Sequence, residues 1–281
     1  MILVAGGTGR LGKVLGPVLR ANGSEVRVLT RDRERARGLE GVEVVVGDVR
    51  DPATLDAAVD GAEVVVSAVH GFAGPGRVTP ASVDRAGNAH LVDAARRAGA
   101  DVVLLSVVGA SADSPMELFR AKYDAEQHLR ASGAAWTIVR STAFVELWAE
   151  IMAKPVVLGR GENPINFVAV ADVAVVVADA VGDRSRRGQV LEVGGPDDLT
   201  FSQFAALLLE SGVAKGEVRH VPRGVLQAMA VVSRRARAAV VMDTDDMTFD
   251  SESRGARPAG RAPTPARLAL DQLRAATAAA S

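Results

Sequence analysis

Met1-Ile2-Leu3-Val4-Ala5-Gly6-Gly7-Thr8-Gly9-Arg10-Leu11-Gly12 opens the chain. Five apolar residues give way to three glycines spaced three apart, and a helix-like segment, Arg10–Ala21, follows and stops at Asn22-Gly23. A strand that turns through glycine into a helix exposes backbone N–H groups with no Cβ in front of them. The helix N-terminus adds roughly half an elementary positive charge at the same place. Gly6 suits the tight turn, Gly9 the close approach of an anion, and Gly12 the packing of helix on strand; Thr8 adds a hydroxyl donor. Gly6, Thr8, Gly9, Arg10, Leu11 and Gly12 are therefore the first candidate ligands, and the expected guest is the pyrophosphate of a dinucleotide.

The pattern outward from this loop agrees. Val26–Leu29, Val42–Val46, Glu63–Val69, Val102–Val108 and Trp136–Val139 are continuous apolar runs rather than alternating ones. Continuous runs mark strands buried on both faces, as in a parallel sheet covered by helices. Helices are predicted between them over Pro52–Val59, with Asp51 as N-cap, over Ala81–Ala98, ending at Gly99, and over Pro115–Ala131. The alternation reads as an α/β, doubly wound parallel-sheet Rossmann fold. Further on, strands are predicted over Ile165–Val168, Gln189–Val193 and Val218–Val221, and helices over Val170–Val181, Phe201–Ser211 and Pro265–Ala279. These pieces suggest a small C-terminal α+β substrate lobe. The expected division is residues 1–155 for the nucleotide-binding domain and 156–281 mainly for the lobe, with some segments returning to the core. Residues 249–266, rich in Ser, Gly, Arg and Pro, read as a loop or mobile segment. The loop His70–Pro80, with Gly71, Gly74 and Gly76, is a second candidate for mobility.

Composition narrows the function classes. The 281 residues carry a formal net charge of -1, so no global field favours nucleic acid, and none is expected as a partner. There is no cysteine, which removes disulfides, thiolate catalysis and zinc–thiolate sites. His70, His90, His128 and His220 are scattered without metal-ligand spacing, so no metal is expected. No apolar stretch reaches membrane-spanning length, and Met1–Ala5 lacks the marks of a signal peptide, so a cytoplasmic protein is expected. Gly224–Val241 mixes apolar residues with Arg234, Arg235 and Arg237. It reads as a helix packed on the small lobe with a basic outer face, or as an amphipathic helix lying on a membrane surface.

The strand Val26–Leu29 ends in Thr30-Arg31-Asp32. A protein that prefers NAD places an acid here for the ribose 2′-hydroxyl, whereas the guanidinium of Arg31 suits a 2′-phosphate, with Arg10 in reach of the same group. Asp32 could instead turn toward the ribose. The balance favours NADP(H) over NAD(H). Asp48 after the third strand can accept from an adenine amino group while Val49 packs on the ring, or can simply cap a turn. Ser67-Ala68-Val69 ends the fourth strand with small residues that let backbone pass near a cofactor.

Taken together, these residues resemble the NmrA-like, atypical short-chain dehydrogenase/reductase family. The resemblance continues through Val83-Asp84-Arg85-Ala86-Gly87-Asn88, Leu105-Ser106, Ala121-Lys122 to Glu126, Leu129–Gly133, Trp136–Arg140, Val168–Ala174 and Glu192–Pro196, and covers most of residues 1–210. It implies a Rossmann domain with a small C-terminal lobe, NADP(H) binding and a substrate site in the cleft between them. Some members reduce quinones, phenolic compounds or related acceptors; others bind the nucleotide as redox sensors. Lys122 falls at the family's active-site lysine, where it would bond the nicotinamide ribose. By its pattern alone, a lysine on an amphipathic helix belongs on a solvated face. Ser106 falls at the family's serine position, and Thr142, with Ala143, follows the sixth strand where the nicotinamide amide would lie.

One departure bears on the chemistry. Reductases of the wider superfamily place a tyrosine four residues before this lysine as proton donor, and this chain has Leu118 there, followed by Phe119. Tyr123, the only tyrosine, follows the lysine and points about 100° away on a helix. General acid catalysis contributes about 10²–10⁴ in rate, so ordinary carbonyl reduction is disfavoured. His70 is a candidate replacement acid or an incidental loop histidine. Phe144, Trp148 and Met152, at helical spacing, read as core before substrate wall. The expectation is an NADP(H)-dependent oxidoreductase passing hydride to a small, flat or quinone-like acceptor. The alternative is a non-catalytic NADP(H)-binding redox sensor with a protein partner. A homodimer is compatible with either, and sugar-nucleotide epimerisation ranks last because it normally needs the missing tyrosine.

Overall fold

The computed structural model describes residues 1–72, 78–252, 255–256 and 261–279. Gly74 and Gly76 of the first candidate mobile loop lie outside the described residues, as do positions 253–254 and 257–260 of the second. The strands run β1 (Ile2–Ala5), β2 (Val26–Thr30), β3 (Glu43–Val46), β4 (Val64–Ser67), β5 (Asp101–Val107), β6 (Trp136–Ser141), β7 (Ala143–Phe144), β8 (Val156–Leu158), β9 (Pro164–Val168), β10 (Val190–Val193), β11 (Asp197–Thr200) and β12 (Arg219–Val221). The helices are α1 (Arg10–Ala21), α2 (Asp56–Val59), α3 (Asn88–Arg97), α4 (Glu117–Ala131), α5 (Val145–Ile151), α6 (Val170–Gly182), α7 (Phe201–Glu210), α8 (Arg223–Ala230), α9 (Arg234–Thr244) and α10 (Ala266–Ala279).

The chain divides into two compact units, residues 1–140 with 173–192, and residues 141–172 with 193–281. The first holds a seven-stranded parallel sheet in the order β10-β6-β5-β4-β1-β2-β3. The central strands β1 and β4 are buried at every position, as their continuous apolar runs require, whereas β3 at the edge keeps Glu43 and Val46 exposed. Helix α1 turns Leu11, Leu15 and Leu19 inward at a spacing of four, with Gly12 and Gly16 between them. Leu3, Leu29, Leu55, Leu91, Leu104, Leu129 and Ile138 form the core beside β4 and β5. The predicted strand near Gln189 joins this sheet as β10 rather than a C-terminal lobe. Arg187 fastens its approach, with Nε 2.9 Å from the Asp101 carboxylate and Nη1 donating to Ala180 O at 2.6 Å.

Two predicted helices differ in their first turns. Pro52–Val59 begins as a 3₁₀ turn capped by Asp51 before α2. The predicted helix from Ala81 begins as a π-helical stretch, Pro80–Gly87, capped by Thr79 and Ser82, before α3. Thr79 bonds the Ser82 N–H while Ser82 Oγ accepts from the Thr79 N–H, so the start is fixed at both ends of the turn. Pattern reading sees the apolar spacing of this segment but not its hydrogen-bond register, and Asp84 within it is fully buried.

The second unit is built on β9, which pairs antiparallel with β11 and parallel with β7. Asn166 on β9 is its polar hub. Its Oδ1 accepts from Thr142 Oγ1 (2.8 Å) and the Gly195 N–H (2.9 Å), and its Nδ2 donates to Gly195 O (3.0 Å) and Asp198 (2.8 Å). A Cβ on Gly195 would overlap Phe167 O, which explains the glycine of the Gly194-Gly195-Pro196 turn. Fully buried Asp172 accepts from Thr264 N (2.6 Å), Thr264 Oγ1 and Arg261, anchoring the chain that leads into α10. Phe167 stacks on Phe204 with centroids 4.4 Å apart, and Trp148 meets Phe201 at 4.8 Å. Trp148 and buried Met152 thus belong to an apolar cluster, as their spacing suggests. Gly224–Val241 is not one helix but two, α8 and α9.

Two glycines of α1 make opposite tests. A Cβ at Gly12 would strike the Gly7 backbone and lie 2.5 Å from Gly6 O, whereas at Gly16 it meets nothing within 4 Å. Gly12→Ala is expected to lower stability by about 1–3 kcal/mol. Gly16→Ala should raise it by about 0.5–1 kcal/mol. Urea unfolding midpoints read both.

Candidate functional site

Sheet register assembles the candidate residues. Ala5 pairs with Leu29 and with Ser67, Thr30 with Val46, and Ser67 with Leu104. The residues that follow these pairs therefore form one row along the carboxyl edge: Gly6, Arg31, Gly47-Asp48, Ala68-Val69 and Leu105-Ser106. The sheet order reverses between β1 and β4, the position where ligands of doubly wound sheets bind.

Gly6 has φ +85°, a left-handed conformation, and a Cβ there would lie 2.6 Å from Ala68 O. The turn and the passage of the β4 loop thus both require glycine. Gly9 is the N-cap of α1 and is exposed; it brings no side-chain acceptor, and the first turn holds no acidic residue. First-turn amides with no carboxylate before them suit an anionic guest, so these residues fit a pyrophosphate. Leu11 contributes only backbone here, since its side chain is buried in the core. Thr8 is half-buried.

Arg31 is exposed and makes no hydrogen bond or ion pair among the described residues. Asp32 is also exposed; its Oδ1 accepts the Glu34 N–H at 2.9 Å and caps a short 3₁₀ turn. Arg33 donates to Val44 O, and Arg37 pairs with Glu34, so both serve the local turn and edge. Asp48 is gripped by Arg50, whose Nε lies 3.0 and 3.1 Å from the two carboxylate oxygens. That bond holds the Asp48 carboxyl below the usual carboxylate range, with a smaller contribution from the charge of Arg31. Val49 is buried with its side chain against Gly87, where a Cβ would come within 2.7 Å. The turn reading of Asp48 and a core role for Val49 are thus what the geometry displays.

Lys122 is not on a solvated face. It is buried, because α4 packs on the π-helical stretch and turns this residue toward the sheet edge. Nζ donates to Val69 O and to Leu105 O, both at 3.0 Å. It also lies 3.0 Å from Oδ1 of Asp84, which is fully buried. The last approach is an ion contact without hydrogen-bond alignment, and Asp84 Oδ1 has no other donor among the described residues. Asp84 Oδ2 accepts the Gly71 N–H at 2.7 Å. Lys122 and Asp84 together therefore tie the ends of β4 and β5 and the first turn of the following loop. Ser67 Oγ bonds Asn88, whose Nδ2 donates to Asp84 O at 2.7 Å, so the Ser67 hydroxyl also faces this cluster. Within the pattern Val83–Asn88 the signal was an acid and an amide four apart on an otherwise apolar face.

Ser106 Oγ donates to fully buried Glu126, which holds Arg140 through Nε (2.9 Å) and Nη2 (2.6 Å). The Glu126 hydrogen bond raises the Arg140 pKa further above its ordinary value. The serine hydroxyl thus sits in a closed charge network. Thr142 belongs to the second unit and gives its hydroxyl to Asn166. Leu118 and Tyr123 are half-buried. His70 keeps exposed surface, yet surrounding protein desolvates its imidazole and lowers its pKa. Asp84 opposes that shift, while Lys122 and Arg10 add to it. His90 meets Val49 O, His128 pairs with Asp93, and no metal-ligand cluster occurs among the described residues. No helix there is long and apolar enough to cross a membrane.

Removing one partner of a buried pair leaves the other charge stranded. Lys122→Met is expected to cost about 3–5 kcal/mol in urea unfolding. The double variant Asp84→Asn/Lys122→Met should lose less than Lys122→Met alone. By proton NMR, His70 should titrate below the ordinary imidazole range and fall further in Asp84→Asn, which removes the charge that raises it; an upward shift would contradict this arrangement.

The chain matches the NAD(P)H-binding family over residues 6–184. It is 32% identical over 237 residues to an NAD(P)H azoreductase of Xenophilus azovorans, covering 81% of this chain and 79% of that one. It is 34% identical over 217 residues to a (4-alkanoyl-5-oxo-2,5-dihydrofuran-3-yl)methyl phosphate reductase of Streptomyces griseus, covering 74% and 72%. In fold it is similar to the NADPH-dependent quinone oxidoreductase of Escherichia coli in complex with NADPH, with a TM-score of 0.77, 22% identity, and 98% and 100% of the two chains covered. The glycine loop, the sheet order and these relationships agree: the chain belongs to the NAD(P)H-binding family.

Proposed function

We propose that this protein is an NADPH-dependent reductase of small, flat, conjugated acceptors of the quinone or azo type. The observation that carries the reading is the row at the carboxyl edge of the sheet. An uncapped glycine turn meets α1 there, and exposed Arg31 stands where a 2′-phosphate would lie. A bound reduced nicotinamide supplies the hydride. Gly6, Thr8, Gly9 and the amides of Arg10, Leu11 and Gly12 hold the pyrophosphate. Arg31, with Arg10, selects the 2′-phosphate, while one oxygen of Asp32 is engaged in capping its own turn. Lys122 acts as a positioning residue. Two of its donors fix the Val69 and Leu105 carbonyls, and the third faces the ribose side of the edge beside Asp84.

The acceptor class follows from what position 118 lacks. Leu118 offers no proton, so the protein favours acceptors whose reduced form takes its protons from water. A quinone qualifies, because hydride addition leaves a hydroquinone anion of phenol-like basicity, whereas an isolated carbonyl becomes an alkoxide that needs an acid at once. The names of the azoreductase and quinone oxidoreductase relatives support this class. The same absence favours a second reading, a redox sensor that binds NADP(H) without turnover and reports it to a protein partner.

Arg31→Ala is expected to weaken NADPH by about tenfold or more, the usual loss for one charge-assisted contact, and to leave NADH nearly unchanged. Equal affinity of the wild type for NADH and NADPH would refute the selectivity. Loss of NADPH absorbance with naphthoquinones or azo dyes supports the reductase. Tight NADPH binding with no turnover on either class leaves the sensor.

A further inference from the structure

The hairpin of α8 and α9 in the second unit carries a surface that the reductase reading does not use. Leu226 and Ala236 are buried and fix the pair of helices to their own unit. On the outside, Val225 and Met229 lie at i and i+4 on α8 at 50% and 47% exposure, and the turn that follows holds Val231 and Val232 at 77% and 87%. Such apolar exposure is not a frayed end. Ser233 N–H donates to Met229 O at 2.9 Å, and Ser233 Oγ accepts the Ala236 N–H and caps α9. Arg237 Nη1 donates to the carbonyls of Ala230 and Val231. The turn is therefore tied at both ends, with two consecutive valines held outward, where an ordinary surface turn uses Gly, Asn or Asp.

The charge along this segment has one sign. Arg219, Arg223, Arg234, Arg235 and Arg237 fall within 219–237, and no acidic residue stands between Glu217 and Asp243. The chain as a whole carries -1, so this is a local concentration and not a reflection of overall charge. Arg223, Arg234 and Arg235 are exposed.

We propose that the α8–α9 hairpin docks on an anionic lipid surface, with Val231, Val232 and Met229 entering the headgroup boundary and the arginines pairing with lipid phosphates. An exposed apolar turn on a hairpin that is basic in sequence matches an interface that is soft, apolar beneath and negative above. A second copy fits poorly, because a twofold contact sets this basic segment against itself. The assignment stands independently of the proposed reaction.

Cosedimentation of the full chain with phosphatidylcholine vesicles, with and without phosphatidylglycerol, tests it. Binding is expected only with phosphatidylglycerol and should fade at high salt. Arg223→Ala should lower partitioning about fivefold, the equivalent of one basic side chain at such a surface. Val232→Glu should abolish binding and Val232→Leu should keep it, all three with NADPH affinity unchanged. No binding to either vesicle, equal binding to both, or binding indifferent to Val232→Glu overturns the proposal. A wild-type dimer that Val232→Glu dissociates, with no vesicle binding, assigns the face to a second copy. Retention on polyglutamate without vesicle binding assigns it to an acidic protein.

Discussion

The alignment of β1 with β2 and β4 is the constraint on which the first unit depends. Parallel strands end together only when their registers agree, and Ala5 stands opposite both Leu29 and Ser67. That agreement places the glycine turn between Arg31 and Ala68, with Gly6 so close to Ala68 O that any Cβ would collide. Shift β4 by one residue and the turn loses its neighbour, while every side chain of that strand changes face. The burial of the central strands is thus more than a source of stability. It forbids the slips that would scatter the row of residues at the carboxyl edge.

Much of this was legible in the sequence because its cause is local. Continuous valine runs, a glycine triplet at fixed spacing, Asp51-Pro52 and Gly99 all act within a few residues, and each lies where its pattern places it. The edge position of β10 was not legible, since it rests on Arg187 reaching Asp101 across 86 residues. The π-helical start of the segment at Pro80 was not legible either. Helical periodicity reports which face is apolar, not which carbonyl each N–H chooses.

The candidate site divides along the same line. Arg31 is read from its position after a strand, and the structure adds that it is exposed and that Asp32 Oδ1 caps the turn beside it. Lys122 was singled out by resemblance, and its pattern alone placed it in solvent. Its burial comes from the packing of α4 on the π-helical stretch, which also brings it to Asp84, 38 positions earlier. Ser106 shows the opposite case. The residue type suggested contact with a ligand, but Glu126 and Arg140 enclose its hydroxyl.

Buried charge also separates holding a cofactor from using it. Lys122 Nζ lies 3.0 Å from Asp84 Oδ1, and its two carbonyl bonds spend most of its reach on backbone. An ammonium so anchored orders the loop beside the glycine turn and steadies the local field, but it is poorly suited to shuttle protons. With leucine at position 118 as well, neither residue of the usual helix pair is a ready acid. On the proposed reading, the edge holds the dinucleotide and leaves protonation to solvent. A reductase so built would select acceptors that tolerate a delay between hydride and proton.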